Sequence, residues 1–481
     1  MYLGIDVGTS GVKTVLADAE GLVTASATVP LALATPRPGW CEQDPADWWR
    51  AVCESVRGLD ADLAEVRAIA LSGQMHGAVA LDEALAVLRP AILWNDTRSF
   101  AEADRLAQAA NAEEIVGVRP MAGFTATKIM WMARHEPELH ARIAHVVTPK
   151  DWVRWRMTGA LAMEMSDAAG TCWLDQERRD WSEAMCDASD TRPEWLPPLL
   201  EGTAQAGRLA GDAAQAMGLS PGILVAAGGG DAALGGVGIG AVRPGDAFLS
   251  LGTSGQVFTV TERYRSAPET LVHSFAHALP QRWFHMACLL NGASPLAWWA
   301  QTCGLRVDEL LEEAQGVESG AVLFLPYLAG ERTPLNDPHI RGTFYGMGPG
   351  TDRACMTAAV LEGIAHSIRE AADALARAGT APTRMGVIGG GARSDRFVQL
   401  IADVTGIALD RYEGAETGAA LGAARIAMVA DGMALEAVAR TPDVAASFEP
   451  RKGQATRHRD RHARWRRLYD ALAPEARELA G

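Results

Sequence analysis

The sequence has few cysteines, no long apolar run and no basic region at its start. Its seven cysteines are odd in number, scattered and free of C-x-x-C spacing, which argues for reduced thiols and against structural zinc. No stretch approaches the ~20 consecutive apolar residues of a membrane-spanning helix. The opening M-Y-L-G-I-D lacks the charge and the uninterrupted apolar core of a signal peptide. We therefore expect a cytoplasmic protein that does not act at a membrane.

Basic charge is also scarce. Lysine and arginine total 44 against 59 acidic residues, for a formal net charge of −15, which argues against general nucleic-acid binding. One basic stretch, residues 451–467, is an exception. This stretch is either a binding site for a polyanion or, as the preferred interpretation, a loop that leads into the solvated face of a last helix.

Several catalytic signatures are missing as well. The sequence contains no P-loop of the form G-x-x-x-x-G-K-[ST], no protein-kinase signature set and no G-x-S-x-G nucleophile elbow. Its length of 481 residues exceeds the size at which a single hydrophobic core stops growing. We therefore expect two domains and a function outside these classes.

What the sequence does have is a glycine-rich stretch near its centre. Residues 223–227 predict a short buried strand, and Asp231 follows after three glycines. Glycine lets the backbone turn sharply, so a ligand can approach the aspartate closely. Residues 247–251 predict a second strand, which ends in Gly252-Thr253-Ser254-Gly255. The amides and hydroxyls of such a turn can hold phosphate.

The same turn occurs near the N-terminus. Residues 2–7 predict a strand that carries Asp6, and Gly8-Thr9-Ser10-Gly11 leads from it into a second strand. Two identical G-T-S-G turns, each between strands and about half the chain length apart, predict two related halves that face a shared ligand. The expected fold is α/β, with two lobes and a cleft between them.

Other polar clusters follow predicted strands. The strand 66–71 ends at S-G-Q-M-H-G, which contains Met75 and His76, and ligands of α/β folds collect at such strand ends. For His76, a structural role and a ligand role are both open. The same holds for Asp96 and Arg98, which form either an internal pair that stiffens the lobe or a sugar contact.

The second half contains a third glycine-rich strand end. The strand 384–388 runs into Gly389-Gly390-Gly391-Ala392, and the helix 395–404 follows. A glycine turn between a strand and a helix suits the close approach of a nucleotide. Long helices are predicted over 352–375 and 416–430. Residues 173–219, by contrast, look like an insertion whose role the sequence does not indicate.

These elements suit phosphoryl transfer. That reaction needs a metal ion, phosphate positioning and a base that orients the attacking hydroxyl. On this basis Asp6 holds Mg²⁺ through water, and Asp231 takes the proton from the substrate hydroxyl. The alternative interpretation of Asp231 is an aspartate that only caps a turn.

Motifs spread over nearly the whole chain carry a family resemblance. They are D-V-G-T-S-G-V-K (6–13), S-G-Q-M-H-G (72–77), W-N-D-T-R (94–98), G-F-T-A-T-K-I-M-W-M (123–132), G-G-G-D (228–231), L-G-T-S-G (251–255), R-G-T-F-Y-G (341–346), L-E-G-I (361–364) and G-G-G-A-R-S (389–394). Together they resemble the FGGY carbohydrate kinases, members of the actin-like ATPase superfamily with two ribonuclease-H-like lobes. Within that family they are most similar to xylulokinases.

The resemblance implies an ATP-dependent kinase of a small sugar, with ATP and Mg²⁺ as cofactors and D-xylulose converted to D-xylulose 5-phosphate. It implies Asp231 as the base that contacts the sugar, Asp6 beside the metal, and Met75 and His76 at the sugar. The implied nucleotide-binding residues are Thr9, Ser10, Lys13, Gly252 and Thr253 at the phosphates, and Gly292, Gly390 and Gly391 near the adenosine. A homodimer is compatible with the resemblance. The predicted domains are 1–243 for the sugar and the base, 244–435 for the nucleotide, and 436–481 as a helical tail.

One residue departs from the family pattern. Xylulokinases usually carry asparagine after the catalytic aspartate and use it on the sugar, but this chain has Ala232. Alanine cannot make that hydrogen bond, and such contacts discriminate sharply between sugars. Another ketose or a polyol (ribulose, L-xylulose, a pentitol or a tetritol) is the alternative substrate. Two other classes are disfavoured. A conformational ATPase of the same superfamily would not need the Met75-His76 cluster and Asp231, which the chain keeps, and a silent sugar sensor would be expected to have lost Asp6, Asp231 or the G-T-S-G turns.

Overall fold

The computed structural model describes residues 1–413 and 418–480, and two seven-stranded sheets dominate it. The strands of the first half are β1 (Tyr2–Val7), β2 (Gly11–Ala17), β3 (Val23–Pro30), β4 (Glu42–Gln43), β5 (Ala68–Gly73), β6 (Val79–Leu81), β7 (Ala91–Ile92), β8 (His145–Val147), β9 (Met163–Glu164), β10 (Leu174–Asp175), β11 (Asp180–Trp181), β12 (Leu199–Leu200), β13 (Gln205–Arg208), β14 (Leu224–Ala226) and β15 (Gly229–Gly230). Those of the second half are β16 (Ala247–Leu251), β17 (Gly255–Thr261), β18 (His273–Ala276), β19 (Trp283–Leu289), β20 (Leu323–Leu325), β21 (Thr343–Tyr345), β22 (Arg384–Ile388), β23 (Ala408–Tyr412) and β24 (Val444–Phe448).

Helices cover and connect these sheets. In the first half they are α1 (Pro45–Arg57), α2 (Phe100–Leu106), α3 (Ala112–Val116), α4 (Thr125–His135), α5 (Pro137–His140), α6 (Pro149–Thr158), α7 (Met165–Ala169), α8 (Glu183–Ala188), α9 (Gly211–Met217) and α10 (Asp231–Gly238). In the second half they are α11 (Ser294–Cys303), α12 (Val307–Glu313), α13 (Arg353–Arg377), α14 (Asp395–Thr405), α15 (Gly418–Ala430), α16 (Leu435–Val438) and α17 (Gln454–Ala480). Short 3₁₀ helices lie at Pro193–Trp195, Pro268–Thr270 and Gly390–Arg393.

The first sheet has the order β13-β14-β5-β1-β2-β3, and β15 extends the pairing with β5. Strands β1, β2 and β3 form an antiparallel meander, whereas β5 pairs in parallel with β1, β14 and β15. The carboxyl ends of parallel strands meet at one edge of a sheet. This edge therefore gathers Asp6, Ser72 and Asp231, which come at or just after the ends of β1, β5 and β15.

The second sheet repeats this arrangement. Its order is β18-β19-β17-β16-β22-β23-β24, in which β16 pairs antiparallel with β17 and parallel with β22, and β22 pairs parallel with β23. The hairpin β16–β17 thus corresponds to the hairpin β1–β2, and each hairpin carries one G-T-S-G turn. The predicted fold class, two ribonuclease-H-like lobes with a cleft between them, is confirmed. The predicted domain boundaries stay a prediction.

One helix of each half packs against the sheet of the other half. Helix α15 lies on the first sheet so closely that a Cβ added at Gly4 would come within 2.0 Å of the Ala420 carbonyl oxygen. Helix α10 places Gly236 within 3.4 Å of Phe248 in the second sheet, measured from an added Cβ. Where α10 and α15 cross, a Cβ at Gly238 would lie 2.0 Å from the Gly418 carbonyl oxygen. Small residues at the crossing therefore permit a backbone-to-backbone contact that larger side chains would prevent.

The basic stretch near the C-terminus forms part of α17 and is paired with acids of the second lobe. Arg461 binds Glu362 at 2.6 Å and Arg466 binds Glu370 at 2.7 Å. On the apolar side of the helix, Trp465 is buried and donates its indole N–H to the Phe324 carbonyl oxygen at 2.8 Å. The preferred interpretation of the stretch, the polar face of a last helix, is confirmed. Strand β24 precedes this helix and adds an edge strand to the second sheet.

The prediction that residues 173–219 form an insertion rather than a core element is wrong in part. Trp173 is fully buried, and β13 forms the edge strand of the first sheet, antiparallel to β14. Strand β13 escapes prediction because it is four residues long and its pairing is irregular between Gln205 and Gly207. The predicted helix over 416–430 begins outside the described residues and is observed from Gly418 onward.

All seven cysteines are free thiols. Over residues 1–413 and 418–480, no helix has the length and apolar character that crossing a bilayer requires.

Candidate active site

Asp231 lies at the junction between the first sheet and helix α10. It is the first residue of α10 and follows β15, whose Gly230 pairs with Gly73 of β5. A Cβ at Gly230 would come within 2.7 Å of Met75 Cγ, so glycine is needed for Met75 to pack beside the aspartate. The Gly230 amide donates to the Ser166 hydroxyl at 2.8 Å. These contacts hold the Asp231 backbone from two sides.

The environment of Asp231 suits a base. Burial and, as a smaller contribution, the negative charge of nearby Asp6 together raise its pKa to about 7. A carboxylate with a pKa near neutrality is ionised in a large fraction of molecules at pH 7 and still accepts a proton readily. The Asp231 carboxyl can therefore gain or lose a proton near neutral pH.

Asp6 is the second carboxylate of the site. Burial raises its pKa, while the Ser72 hydroxyl and the charge of Lys13 act in the opposite direction. Lys13 lies directly across the β1–β2 hairpin from Asp6. The Asp6 Oδ1 atom is buried and has no hydrogen-bond partner among residues 1–413 and 418–480. A buried, unpartnered carboxylate oxygen is a suitable ligand, direct or through water, for a hard divalent cation.

His76 has an unusual backbone conformation. Its φ of 68° lies in the left-handed region, which residues other than glycine seldom adopt. Its Nδ1 lies 2.8 Å from the Gly170 carbonyl oxygen, and burial lowers its pKa to about 3. The ring is therefore neutral at pH 7. Because a carbonyl oxygen only accepts, the proton is on Nδ1, and Nε2 is left as an acceptor.

Two residues of α4 hold the backbone of His76. The Lys128 ammonium donates to the His76 carbonyl oxygen at 2.7 Å and to the Gly123 carbonyl oxygen at 2.7 Å. The Thr125 hydroxyl donates to the same His76 carbonyl at 3.1 Å. Lys128 is fully buried, and burial lowers its pKa to about 7. Helix α4 thus stabilises the left-handed conformation of His76.

A fully buried network of charged side chains lies behind the aspartate. Lys150 contacts Asp167 at 3.3 Å and Asp151 at 2.5 Å, and Arg154 contacts Asp151 at 2.7 Å. Glu164 accepts the Ser166 hydroxyl at 2.7 Å, and Ser166 in turn accepts the Gly230 amide. Burial raises the pKa of Asp167 well above its usual range. This network, which sequence reasoning missed, links the core of the first lobe to the backbone of the turn that precedes Asp231.

Asp231, Met75 and His76 line a cavity of about 140 Å³ between the two lobes. Its walls are Thr9, Met75, His76, Trp94, Asp231, Ala232, Ser254, Gly255, Gln256, Met286, Cys288, Leu289, Leu290 and Arg332. The cavity thus brings together Asp231, Met75 and His76 from the first lobe and the end of the second G-T-S-G turn. It also contains Gln256 and Arg332, which the sequence did not indicate as site residues.

The first G-T-S-G turn lies at the mouth of this cavity. The Thr9 hydroxyl donates to Gln74 at 2.8 Å and accepts the Trp94 indole N–H at 2.9 Å, which fixes the turn to the strand end of β5. The Gly8 amide donates to the Gly11 carbonyl oxygen at 3.1 Å and closes the turn. Ser10 is exposed. The hydroxyl at position 10 is thus open to a ligand, whereas that of Thr9 also serves to anchor the turn.

The second turn is held by the segment before α11. The Gly292 amide donates to the Thr253 carbonyl oxygen at 3.0 Å, and the Ala293 amide donates to the Gly252 carbonyl oxygen at 2.7 Å. The Thr253 side chain is exposed. The structure therefore brings Gly252, Thr253 and Gly292 together, and their role in binding a nucleotide stays a prediction.

A second cavity of about 330 Å³ lies at the carboxyl ends of β16 and β22. Gly390 lines it together with Arg393, Arg411 and Tyr412. Gly391 packs against Leu251 instead, where an added Cβ would approach Leu251 Cγ to 2.6 Å. The glycine-rich end of β22 thus borders a cavity that is separate from the one beside Asp231 and lies next to the second G-T-S-G turn.

Asp96 and Arg98 form an internal ion pair, which is one of their two interpretations, the other being a sugar contact. Arg98 binds Asp96 at 2.6 Å and Glu42 at 2.7 Å, and its guanidinium lies 3.7 Å from the centre of the Trp40 ring. Asp96 also accepts the Cys41 amide at 2.7 Å. The pair thus stiffens the loop that carries Trp94 into the cavity wall.

Comparison with known proteins identifies the family. The model of the FGGY family of carbohydrate kinases matches with its N-terminal domain over residues 1–238 and with its C-terminal domain over residues 247–430. The chain is 44% identical to the xylulose kinase of Escherichia coli (strain K12) over 482 residues, which covers 98% of this chain and 99% of the relative. It is 46% identical to the xylulose kinase of Klebsiella pneumoniae over 436 residues, 89% of this chain and 90% of the relative.

A solved structure shows the same architecture over the full length. The crystal structure of the "xyloylose kinase" of Brucella ovis superimposes with a TM-score of 0.93 at 41% identity, covering 98% of this chain and 99% of that one. The family model, the relatives and the solved structure all indicate the same family. The chain belongs to the FGGY family of carbohydrate kinases.

Proposed function

We propose that this chain transfers the γ-phosphoryl group of ATP to a hydroxyl of a small ketose, with D-xylulose as the first candidate and D-xylulose 5-phosphate as its product. The observation that carries the proposal is the cavity in which Asp231 and His76 lie beside the second G-T-S-G turn. The xylulose kinases of Escherichia coli and Klebsiella pneumoniae, similar over most of the chain, support this substrate.

Asp231 acts as the general base. Its carboxylate removes the proton of the attacking hydroxyl while the hydroxyl oxygen forms a bond to the γ-phosphorus and the bond from that phosphorus to the bridging oxygen of ADP breaks. Its pKa of about 7 supports this role. General-base help of this kind contributes roughly 10²–10⁴-fold to a rate.

His76 and Met75 orient the sugar. The neutral imidazole accepts a hydrogen bond from a sugar hydroxyl at Nε2, because its Nδ1 proton is already donated to Gly170. Met75 gives an apolar surface against the carbon skeleton beside Asp231. Positioning of this kind lowers the barrier by holding the reacting atoms in line.

The two G-T-S-G turns bind the phosphates. Ser10 and Lys13 act from the first lobe, and Gly252 and Thr253 from the second, so the phosphate chain lies between the lobes. Thr9 contributes chiefly by anchoring the first turn to Gln74 and Trp94. Gly292, Gly390 and Gly391 form the proposed side of the site nearest the adenosine.

Asp6 is the proposed residue beside Mg²⁺, because its buried Oδ1 has no partner among the described residues. When bound, the ion neutralises phosphate charge and orients the β- and γ-phosphates. The seven free thiols support a reducing, cytoplasmic location for the enzyme.

Another ketose or a polyol is the second candidate substrate. Ala232, which lines the cavity next to Asp231, cannot hydrogen-bond a sugar, and this favours a changed selectivity. The test is ADP release by the purified protein with Mg-ATP against D- and L-ketopentoses, ketohexoses, pentitols, tetritols and glycerol, with a no-sugar control. D-Xylulose is expected to give the strongest response. A stronger response to another sugar reassigns the substrate, and ADP release that does not depend on sugar contradicts the kinase proposal.

A further inference from the structure

Gln256 is a polar side chain of the second lobe that faces the sugar cavity. It follows the second G-T-S-G turn in β17 and lies directly opposite Cys288 of β19. Residues that lie opposite each other in an antiparallel pair project from the same face of the sheet. Both residues line the cavity. The register of β17 thus turns the Gln256 side chain toward Asp231 rather than into the core of the second lobe.

Among residues 1–413 and 418–480, the Gln256 carboxamide makes no hydrogen bond. Its polar atoms are solvent-accessible, because none of them is among the buried side-chain atoms without a partner. The side chain is half-buried. Its amide atoms are therefore open to the cavity, where a ligand or water satisfies them. An amide offers two donors and an acceptor, so it suits either a hydroxyl or a ketone oxygen.

Other polar side chains also line the cavity, Ser254 and Arg332 among them, and some polar groups of the lining are already hydrogen-bonded within the protein. The Thr9 hydroxyl and the Trp94 indole N–H bond to each other, and the Nδ1 of His76 is bound to Gly170. Ala232, the neighbour of Asp231, presents only a methyl group. An uncommitted amide therefore reaches the cavity from the second lobe, whereas the residue next to Asp231 in the first lobe supplies none.

We propose that the Gln256 carboxamide hydrogen-bonds the sugar and determines which sugar this enzyme prefers. The inference rests on the proposed function, because it concerns the acceptor in the same cavity. Since Met75, His76 and Asp231 belong to the first lobe and Gln256 to the second, a sugar that meets both sides bridges the cleft. A sugar without the matching oxygen leaves the amide unpaired, which disfavours its binding.

The test replaces Gln256 by Met, which keeps the length of the side chain and removes the amide. The matched control is Gln315→Met, at an exposed position outside the cavity. We expect kcat/KM for the best sugar of the wild-type panel to fall roughly 10- to 100-fold in Gln256→Met, with KM for ATP changed less than about twofold and the control unaffected. Gln256→Val, which suits a strand, replaces Gln256→Met if that variant does not fold.

Monodeoxy analogues of the preferred sugar identify the contact. For the analogue that lacks the bonded oxygen, wild type and Gln256→Met should have similar kcat/KM values, whereas the other analogues should keep the difference. An unchanged kcat/KM for the sugar overturns the inference, as does a loss that is equal for every analogue or appears only in KM for ATP. ADP release by the wild type without sugar dependence refutes the kinase proposal instead, so the two failures are distinguishable.

Discussion

The Nδ1 of His76 lies 2.8 Å from the carbonyl oxygen of Gly170, and this contact determines what the imidazole can offer a sugar. It places the proton on Nδ1 and leaves Nε2 as an acceptor. It also leaves no room beside Gly170, where an added Cβ would come within 2.4 Å of Nδ1. Which nitrogen of His76 can accept a hydrogen bond from a sugar thus depends on Gly170, about one hundred positions away in the chain.

Gly170→Ala should displace the imidazole and weaken sugar binding. We expect KM for the sugar to rise about tenfold or more, because the hydrogen bond that orients the ring is lost or bent. KM for ATP should change little. Steady-state kinetics check this, with Gly211→Ala as the control, since a Cβ there meets no neighbouring atom within 4 Å. An unchanged KM for the sugar would show that His76 does not contact it.

Asp231→Asn should abolish most of the chemistry and spare the nucleotide site. The amide cannot take a proton from the sugar hydroxyl, so kcat should fall by a factor of roughly 10² or more. ATP affinity, measured by calorimetry in the absence of sugar, should stay within a few-fold of the wild type. A variant with wild-type kcat would remove Asp231 from the role of base.

The rate should depend on pH through Asp231. Because burial and Asp6 raise the pKa of this carboxyl to about 7, the base is mostly protonated at pH 6 and mostly ionised at pH 8. We expect kcat/KM for the sugar to increase with pH across this interval and to level off above it. The midpoint should move to lower pH as free Mg²⁺ rises, since a cation beside Asp6 favours the ionised form. A flat profile from pH 6 to pH 8 would contradict the assignment.

The same carboxyl should reduce the stability of the ligand-free protein. A carboxyl whose pKa is about 7 when folded, against 3.8 as the reference value, favours the folded state in its protonated form. That contribution is complete below pH 4 and is lost as pH rises through 7, by at most about 4 kcal/mol. Asp231→Asn should therefore unfold at a higher temperature than the wild type at pH 8, with a smaller difference at pH 5. Equal differences at both pH values, measured by thermal unfolding, would refute this.

Local sequence predicted those parts of the site that depend on a short stretch of chain. A strand that ends in glycines followed by a charged residue indicates a ligand-facing turn whatever its surroundings, so Asp6, Asp231 and both G-T-S-G turns could be found. The orientation of Gln256 could not, because it depends on the β17–β19 register and on the approach of the other lobe. The Lys150, Asp151 and Asp167 cluster also has no local signature, since only tertiary packing buries these charges together.

The exchange of α10 and α15 across the cleft bears on how the two halves relate to each other. Each half uses one helix of the other to cover its own sheet, which is the arrangement expected of a symmetric pair of half-length chains whose genes later fused. A fragment that ends near residue 243 would leave the face of its sheet under α15 exposed to water, so it should aggregate when produced alone. Co-production of the two fragments should restore a soluble complex, because α10 and α15 can then pack on the sheets of the opposite fragments as they do in the intact chain.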